Sequence, residues 1–239
     1  MRILAVETAT QLVGCALWAD GRPLASFTVV AGRRHSEILM PAIDDLCRRA
    51  GLRPADLDAV AVDVGPGLFT GLRVGLAAAR SIALALEVPA AGVTSLEVLA
   101  FPHRCRPVTV APVVDARRSE VFWARYGPRT GDGLVEAHPP ALADPEQLAA
   151  ELASLQGEVL VVGDGAWRYR DVFERQGLHL GGPADIWPSP LVVAEIAAVR
   201  LAKPRPAGSG LPEPLYLRQA DVRIRWEQMT STIADRPVQ

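Results

Sequence analysis

A hydrophobic run, Ala59-Val60-Ala61-Val62-Asp63-Val64, leads into GPGLFTGLRVG (Gly65 to Gly75), and an Ala/Leu-rich helical pattern from Val74 to Leu86 follows. Strand, glycine turn and helix in that order commit this part of the chain to an α/β arrangement. They also bring backbone N–H groups to a helix N-terminus, where an anion can be held. The spacing breaks the phosphate-loop rule: after Gly65 and four residues a glycine and then a lysine are required, but Thr70 stands there and no lysine follows. The dinucleotide fingerprint fails as well, because three residues rather than two separate Gly67 from Gly71.

Packing is the other explanation for the glycines. Gly71, Gly75 and Ala79 recur every four residues, so they form one helical stripe that lets another backbone come close. A glycine inside a helix costs about 1 kcal/mol against alanine, so two within one turn point to a tight contact. Thr70 is the expected N-cap, and Gly67 the expected positive-φ residue of the turn. On these residues alone, packing and ligand binding weigh evenly.

A chain of 239 residues, 49% hydrophobic, suffices for one large core or two smaller lobes. A net charge of -2 argues against an extended basic footprint on nucleic acid, though not against RNA contact through a partner. Cys15, Cys47 and Cys105 are widely spaced and form no CxxC pair, so they read as small buried residues of a reducing compartment. Met1 to Val6 is too short an apolar segment for a signal peptide, and no apolar run is expected to span a bilayer; the expectation is a cytoplasmic protein.

Strands are expected at residues 2–6, 12–18 and 24–30, with Asp20-Gly21 as a hairpin turn. A helix is expected from Ser36, its N-cap, to Arg49, with Gly51 as its stop. The second half partly repeats this order, with strands at 108–114 and 120–126, an irregular stretch at 128–140, a helix at 145–155, a strand at 159–162, and helices at 167–176 and 191–202. Residues 203–214 read as a connector. The fold class is therefore α/β and two-lobed, each lobe a mixed sheet of three consecutive strands followed by alternating helices and strands.

Glu7, Thr8 and Thr10 form a polar turn after the first strand, able to hold a metal-bound phosphate but more readily explained as an ordinary turn. Asp115 ends a strand at the matching place in the second half, beside Arg117, and Gly163-Asp164-Gly165 ends another. No pair among His35, His103, His138 and His179 has metal-ligand spacing, and no serine sits in GxSxG. Trp123, Tyr126, Trp167, Trp187 and Trp226 read as core or rim residues without the basic–aromatic interleaving of an RNA platform.

Taken together, ILAVETAT, GRRHSEILMPAIDDL, GPGLFTGLRVGLAAARSIA, DARRSEVFWARY, the Gly163 turn and PLYLR (Pro214 to Arg218) resemble the TsaB family of bacterial tRNA threonylcarbamoyladenosine synthesis, over about residues 1–218. Glu7 stands where the family usually has Asp. The resemblance implies the actin/Hsp70/sugar-kinase type of fold, with a first lobe at 1–102, a second at 103–218 whose last helix is free to pack back on the first, and a loose tail at 219–239. It also implies kinship with the catalytic subunit TsaD, whose HxxxH metal pair falls here on Ser95 and Leu99. The implied role is a non-catalytic scaffold with no metal and no cofactor of its own, beyond weak ATP or ADP binding at the assembled complex. It would serve N6-threonylcarbamoyladenosine formation at the adenosine 3′ of the anticodon in tRNAs reading codons that start with A. The implied partners are TsaD through the first lobe, the ATPase TsaE, tRNA through the complex, and a second copy in isolation. His35, Ile38, Leu39, Ala42, Ile43, Leu46, Leu72 and Leu76 are the expected interface, with Gly65, Gly67, Thr70, Gly71 and Gly75 as the structural motif. Glu7, Thr8, Thr10, Asp115, Gly163 and Gly165 would mark a vestigial nucleotide site. The competing expectation is an enzyme of the same fold, a weak ATP-binding kinase or an inactive metallopeptidase homologue. Arg117 would crowd a backbone that has to approach phosphate.

Overall fold

The computed structural model describes residues 1–32, 34–127, 134–203 and 210–218. Strands β1 (Arg2–Glu7), β2 (Leu12–Ala19) and β3 (Arg22–Val30) form a meander, followed by helix α1 (His35–Arg49), β4 (Ala59–Asp63), α2 (Phe69–Leu86), β5 (Ala90–Val93) and α3 (Ser95–Ala100). The order then repeats with β6 (Thr109–Arg117), β7 (Glu120–Gly127), β8 (Val135–Ala143), α4 (Pro145–Ala153), β9 (Val159–Val162), α5 (Asp164–Arg168), α6 (Arg170–Arg175), β10 (His179–Leu180) and α7 (Pro190–Leu201). The two five-stranded sheets run β3-β2-β1-β4-β5 and β8-β7-β6-β9-β10, so the halves share one topology. In each, the first strand pairs antiparallel with the second and parallel with the fourth, and the parallel pairing is reached through a helix.

Alternation along β1 shows how the layers form. Leu4 and Val6 face a core closed by α1 and α2, while Ile3 and Ala5 face one closed by α7. The second sheet has α3 on one face, through Leu96 and Leu99, and α4 and α6 on the other, through Leu148, Leu152 and Phe173. The lobes thus exchange terminal helices: α3 leaves the first half to cover the second sheet, and α7 leaves the second half to cover the first. Residues 210–218 cross the seam. Leu215 donates its N–H to the Val64 carbonyl (2.8 Å), Arg80 holds the Pro212 carbonyl, and Arg218 bonds the Ala116 carbonyl (2.9 Å) and the Glu120 carboxylate.

Several local expectations are corrected. Helix α2 starts at Phe69 after Leu68, so Thr70 lies in its first turn and caps nothing. Its start is fixed from outside, because Leu68 donates its N–H to the Ala9 carbonyl (2.6 Å). Helix α1 starts at His35 after Arg34, which leaves Ser36 inside the helix. Gly51 does take a positive φ, 68°, just past the end of α1. In the glycine loop the left-handed residue is Gly65 (φ 97°) and not Gly67, and the Gly65–Pro66 peptide is cis. Residues 135–140, expected to be irregular, belong to β8, while 128–133 lie outside the described residues, as do Trp226 and the 219–239 tail. The expected 167–176 helix divides into α5 and α6 at Tyr169. Cys15 and Cys47 are buried but Cys105 is exposed.

Candidate functional site

The glycine loop and α2 lie directly on the polar turn after β1. A Cβ on Gly67 would stand 2.0 Å from the Ala9 carbonyl oxygen, one on Gly71 2.1 Å from the Thr8 carbonyl oxygen, and one on Gly75 2.2 Å from Thr8 Oγ1. Thr8 Oγ1 donates to the Gly71 carbonyl (2.8 Å), and His35 Nε2 lies 2.8 Å from the Thr10 carbonyl. Gly67 and Gly71 therefore serve backbone-to-backbone approach, and Gly75 makes room for the Thr8 side chain. They cover Glu7, Thr8 and Thr10, which are all buried, so this turn presents no open phosphate site.

Beneath the loop lies a pair of carboxyl groups. Glu7 ends β1 and Asp63 ends the adjacent parallel strand β4, so the pairing of Val6 with Val62 brings the two side chains together. One oxygen of each is spoken for: Glu7 Oε1 accepts the Ala9 N–H (2.8 Å), and Asp63 Oδ1 accepts the Gly65 N–H (2.7 Å) and the Ser95 hydroxyl (2.7 Å). The other oxygens, Glu7 Oε2 and Asp63 Oδ2, are buried with no other hydrogen-bond partner among the described residues. One shared proton satisfies both, as expected when two carboxyls meet away from water. Burial, and then the Asp63 charge, hold the Glu7 carboxyl well above its usual range, and burial raises Asp63 too.

This pair makes stability depend on pH with a definite sign. The folded chain keeps a proton that the unfolded chain has already released, so its contribution is complete below the ordinary Glu value of 4.5 and is lost as pH rises through the raised folded value. Where one proton separates the two states, the slope is about -1.4 kcal/mol per pH unit. Urea melts across this range should show wild-type stability falling as pH rises above about 4.5, and Glu7→Gln should flatten the fall. A wild-type curve that rises with pH, or a Gln variant with the same slope, would contradict the shared proton.

Across the seam, Asp115 sits near the end of β6 with its N–H donated to Asp164 Oδ1 (3.1 Å). Burial pushes the Asp164 carboxyl up to about 6. Gly163 and Gly165 are consumed by packing, since Cβ atoms there would reach the Val113 carbonyl at 2.2 Å and the Val114–Asp115 backbone at 2.9 Å. Arg117, Arg118 and Ser119 all take left-handed backbone, with φ between 55° and 62°, and Arg117 turns its guanidinium back onto Asp115 (3.2 Å). Between the lobes a cavity of about 370 Å³ is lined by Gly67, Phe69, Asp115, Arg117, Tyr216 and Arg218 among others. A second, of about 880 Å³, is lined by Gln11, His35, Thr70, Gly71 and Arg117 among others. Of the expected nucleotide residues only Asp115 reaches the first cavity; Glu7, Thr8, Thr10, Gly163 and Gly165 do not.

The expected interface residues are mostly interior. His35, Leu39, Ala42, Ile43, Leu46, Leu72 and Leu76 are all at most 8% exposed, and only Ile38 is half-buried. Helical periodicity had found the inward face. The outward face of α2 carries Ala77, Ser81, Leu84 (64% exposed) and Ala85, with Val74, Ala78 and Ile82 half-buried beside them. Met40 and Pro41 of α1 are exposed too. By length and composition α2 is apolar enough to cross a membrane, at a mean hydropathy of 1.4, against the expectation that no such segment existed. In the fold it rests on the first sheet with about 33% of that stretch buried. A helix apolar on both faces was the sequence signal for this surface. Ser95 and Leu99 are both buried, Ser95 on Asp63 and Leu99 in the second lobe's core.

A family model described as "TsaD: tRNA N6-adenosine threonylcarbamoyltransferase" matches residues 29–160. The chain is 32% identical to the tRNA threonylcarbamoyladenosine biosynthesis protein TsaB of Escherichia coli (strain K12) over 232 residues, which is 96% of this chain and 98% of that protein. Among solved structures, an uncharacterized protein with similarity to peptidase YeaZ from Pseudomonas aeruginosa matches with a TM-score of 0.78 at 29% identity, covering 91% of this chain and 99% of that one. Component A of (R)-2-hydroxyglutaryl-CoA dehydratase from Acidaminococcus fermentans, with a TM-score of 0.53 at 13% identity over 85% of this chain and 100% of that one, shares the fold alone.

Proposed function

Because the chain belongs to the TsaB family and takes part in tRNA threonylcarbamoyladenosine biosynthesis, we propose that it does so as a non-catalytic subunit docked on TsaD through the outward face of α1 and α2. The observation that carries this is the uncharged, exposed strip of Ala77, Ser81, Leu84 and Ala85 on α2, together with exposed Met40 and Pro41 on α1. Small side chains let a second helix pair approach to ordinary packing distance, and the apolar surface rewards its removal from water. Arg80, the charge nearest the middle of α2, is drawn aside onto the Pro212 carbonyl. The match of a TsaD model to residues 29–160, which include α1 and α2, supports pairing of two similar helical surfaces about a pseudo-twofold axis. The same geometry would let the chain pair with itself when TsaD is absent. TsaE would join the assembled pair, and the product would be N6-threonylcarbamoyladenosine beside the anticodon.

The covered β1 turn and the use of Ser95 and Leu99 as interior residues support placing the chemistry on the partner. A kinase-like reading has little to stand on, since Glu7, Thr8 and Thr10 are buried under the glycine loop. The test is reconstitution with unmodified tRNA. The chain alone is expected to give no modified nucleoside, and the mixture with TsaD and TsaE to restore its formation. Steady product formation by the chain alone, or full activity of the others without it, would overturn the proposal.

A further inference from the structure

The segment Trp167-Arg168-Tyr169-Arg170 alternates aromatic and basic residues, which corrects the expectation that the tryptophans lack such interleaving. It lies where α5 meets α6. Trp167 is 43% exposed, and the Arg170 guanidinium lies 5.7 Å from its ring centroid. Arg168 lies 5.6 Å from the Tyr169 ring and reaches across to Asp115 (3.5 Å), the same carboxylate oxygen that Arg117 contacts at 3.2 Å. Two guanidinium groups thus share one carboxylate, and both side chains are about half exposed, 53% for Arg168 and 45% for Arg117. Each carries five N–H donors, more than Asp115 can accept. Arg170 also touches Asp171 (3.4 Å), an exposed pair of little strength.

We propose that this face of the second lobe, from the α5–α6 junction to the β6–β7 turn, contacts single-stranded RNA, a base stacking on Trp167 and phosphates engaging Arg117, Arg168 and Arg170. The chemistry separates it from the α2 strip. Cores of protein interfaces are depleted of charge, whereas here the exposed Trp167 ring has the Arg170 guanidinium beside it on a segment that also carries Arg168, the combination that grips a polyanion with π-faced bases. Base–aromatic stacking tolerates any sequence, and Arg adds cation–π and phosphate contacts. A chain with a net charge of -2 has no global pull on RNA, so contact has to be concentrated in such a patch. The inference rests on the tRNA-modifying role above, because it takes the RNA to be the tRNA held by the complex.

The experiment is fluorescence-anisotropy titration of a labelled, unmodified tRNA transcript onto the reconstituted complex at several salt concentrations, with Trp167→Ala, Trp167→Phe and Arg170→Glu compared with wild type. Trp167→Ala is expected to weaken binding about tenfold and Trp167→Phe to recover most of it. Arg170→Glu is expected to weaken binding and make the log–log salt slope shallower by about one. Unchanged affinity and slope in both Trp167→Ala and Arg170→Glu would overturn the proposal. So would a loss of co-elution with TsaD at unaltered RNA affinity, since that marks a protein-docking face. Failure of the subunit role would show separately, as a wild-type chain that never co-elutes with TsaD; the same titration on the chain alone then decides between loss of RNA binding, which supports the patch, and no change, which refutes it.

Discussion

Gly71→Ala is expected to lower the unfolding free energy by about 3 kcal/mol, the upper end of what overpacking costs in a well-packed core. The new methyl would sit 2.1 Å from the Thr8 carbonyl oxygen, and that oxygen belongs to backbone at the end of a central strand. It has no rotamer by which to escape, so α2 has to lift from the β1 turn. Lifting α2 also breaks the Thr8 hydroxyl bond to the Gly71 carbonyl and loosens the carboxyl pair below. For a domain of this size the midpoint of thermal unfolding should fall by roughly 10 °C. Gly75→Ala meets Thr8 Oγ1 at 2.2 Å, a side-chain atom that can rotate away, and should cost less, about 1–2 kcal/mol. Ala77→Gly on the exposed side of the same helix is the control, at about 1 kcal/mol. Denaturant melts rank the three. A Gly71→Ala loss no larger than that of Ala77→Gly would mean the stripe does not mediate close approach.

Much of the fold is legible in the sequence because its signals are local. Asp20-Gly21 fixes the β2–β3 hairpin, with positive φ at both residues, and the repeat of strands and helices gives the duplicated plan. The misreadings share one physical source, tertiary contact overriding local chemistry. Thr70 and Ser36 have capping side chains, yet the helices begin at Phe69 and His35, and α2 is anchored through Leu68 on Ala9. Glu7 and Asp63 are far apart in sequence and meet only because β1 and β4 pair in parallel. The residues expected at an interface are mostly interior for a related reason. Apolar positions at helical spacing on α1 mark the side that faces its own sheet, and a face made of Ala and Ser carries almost no periodic signal. The alternation in Trp167-Arg168-Tyr169-Arg170 is plain in the sequence; what only the fold shows is that Asp115, from another strand, gathers Arg168 toward Arg117.

The second large effect concerns that outward face. Ala77→Glu is expected to leave the fold unchanged, since Ala77 is exposed, while placing an unpaired carboxylate in the centre of the proposed TsaD contact. Burying such a charge without a partner costs several kcal/mol, and about 3 kcal/mol is already more than a hundredfold in Kd. Ile43→Glu is the contrasting variant. Ile43 is 5% exposed and lies in the first lobe's core, so the charge should unfold the protein before partner binding can be read. The pair of variants separates a surface that binds from a surface that folds.

The most direct measurement is the affinity of purified TsaD for wild-type and Ala77→Glu chains, each first shown by circular dichroism to be folded. Tight one-to-one binding by the wild type and at least a hundredfold weaker binding by the folded variant is the expected result. Equal affinity for the two folded chains would contradict docking through α1 and α2.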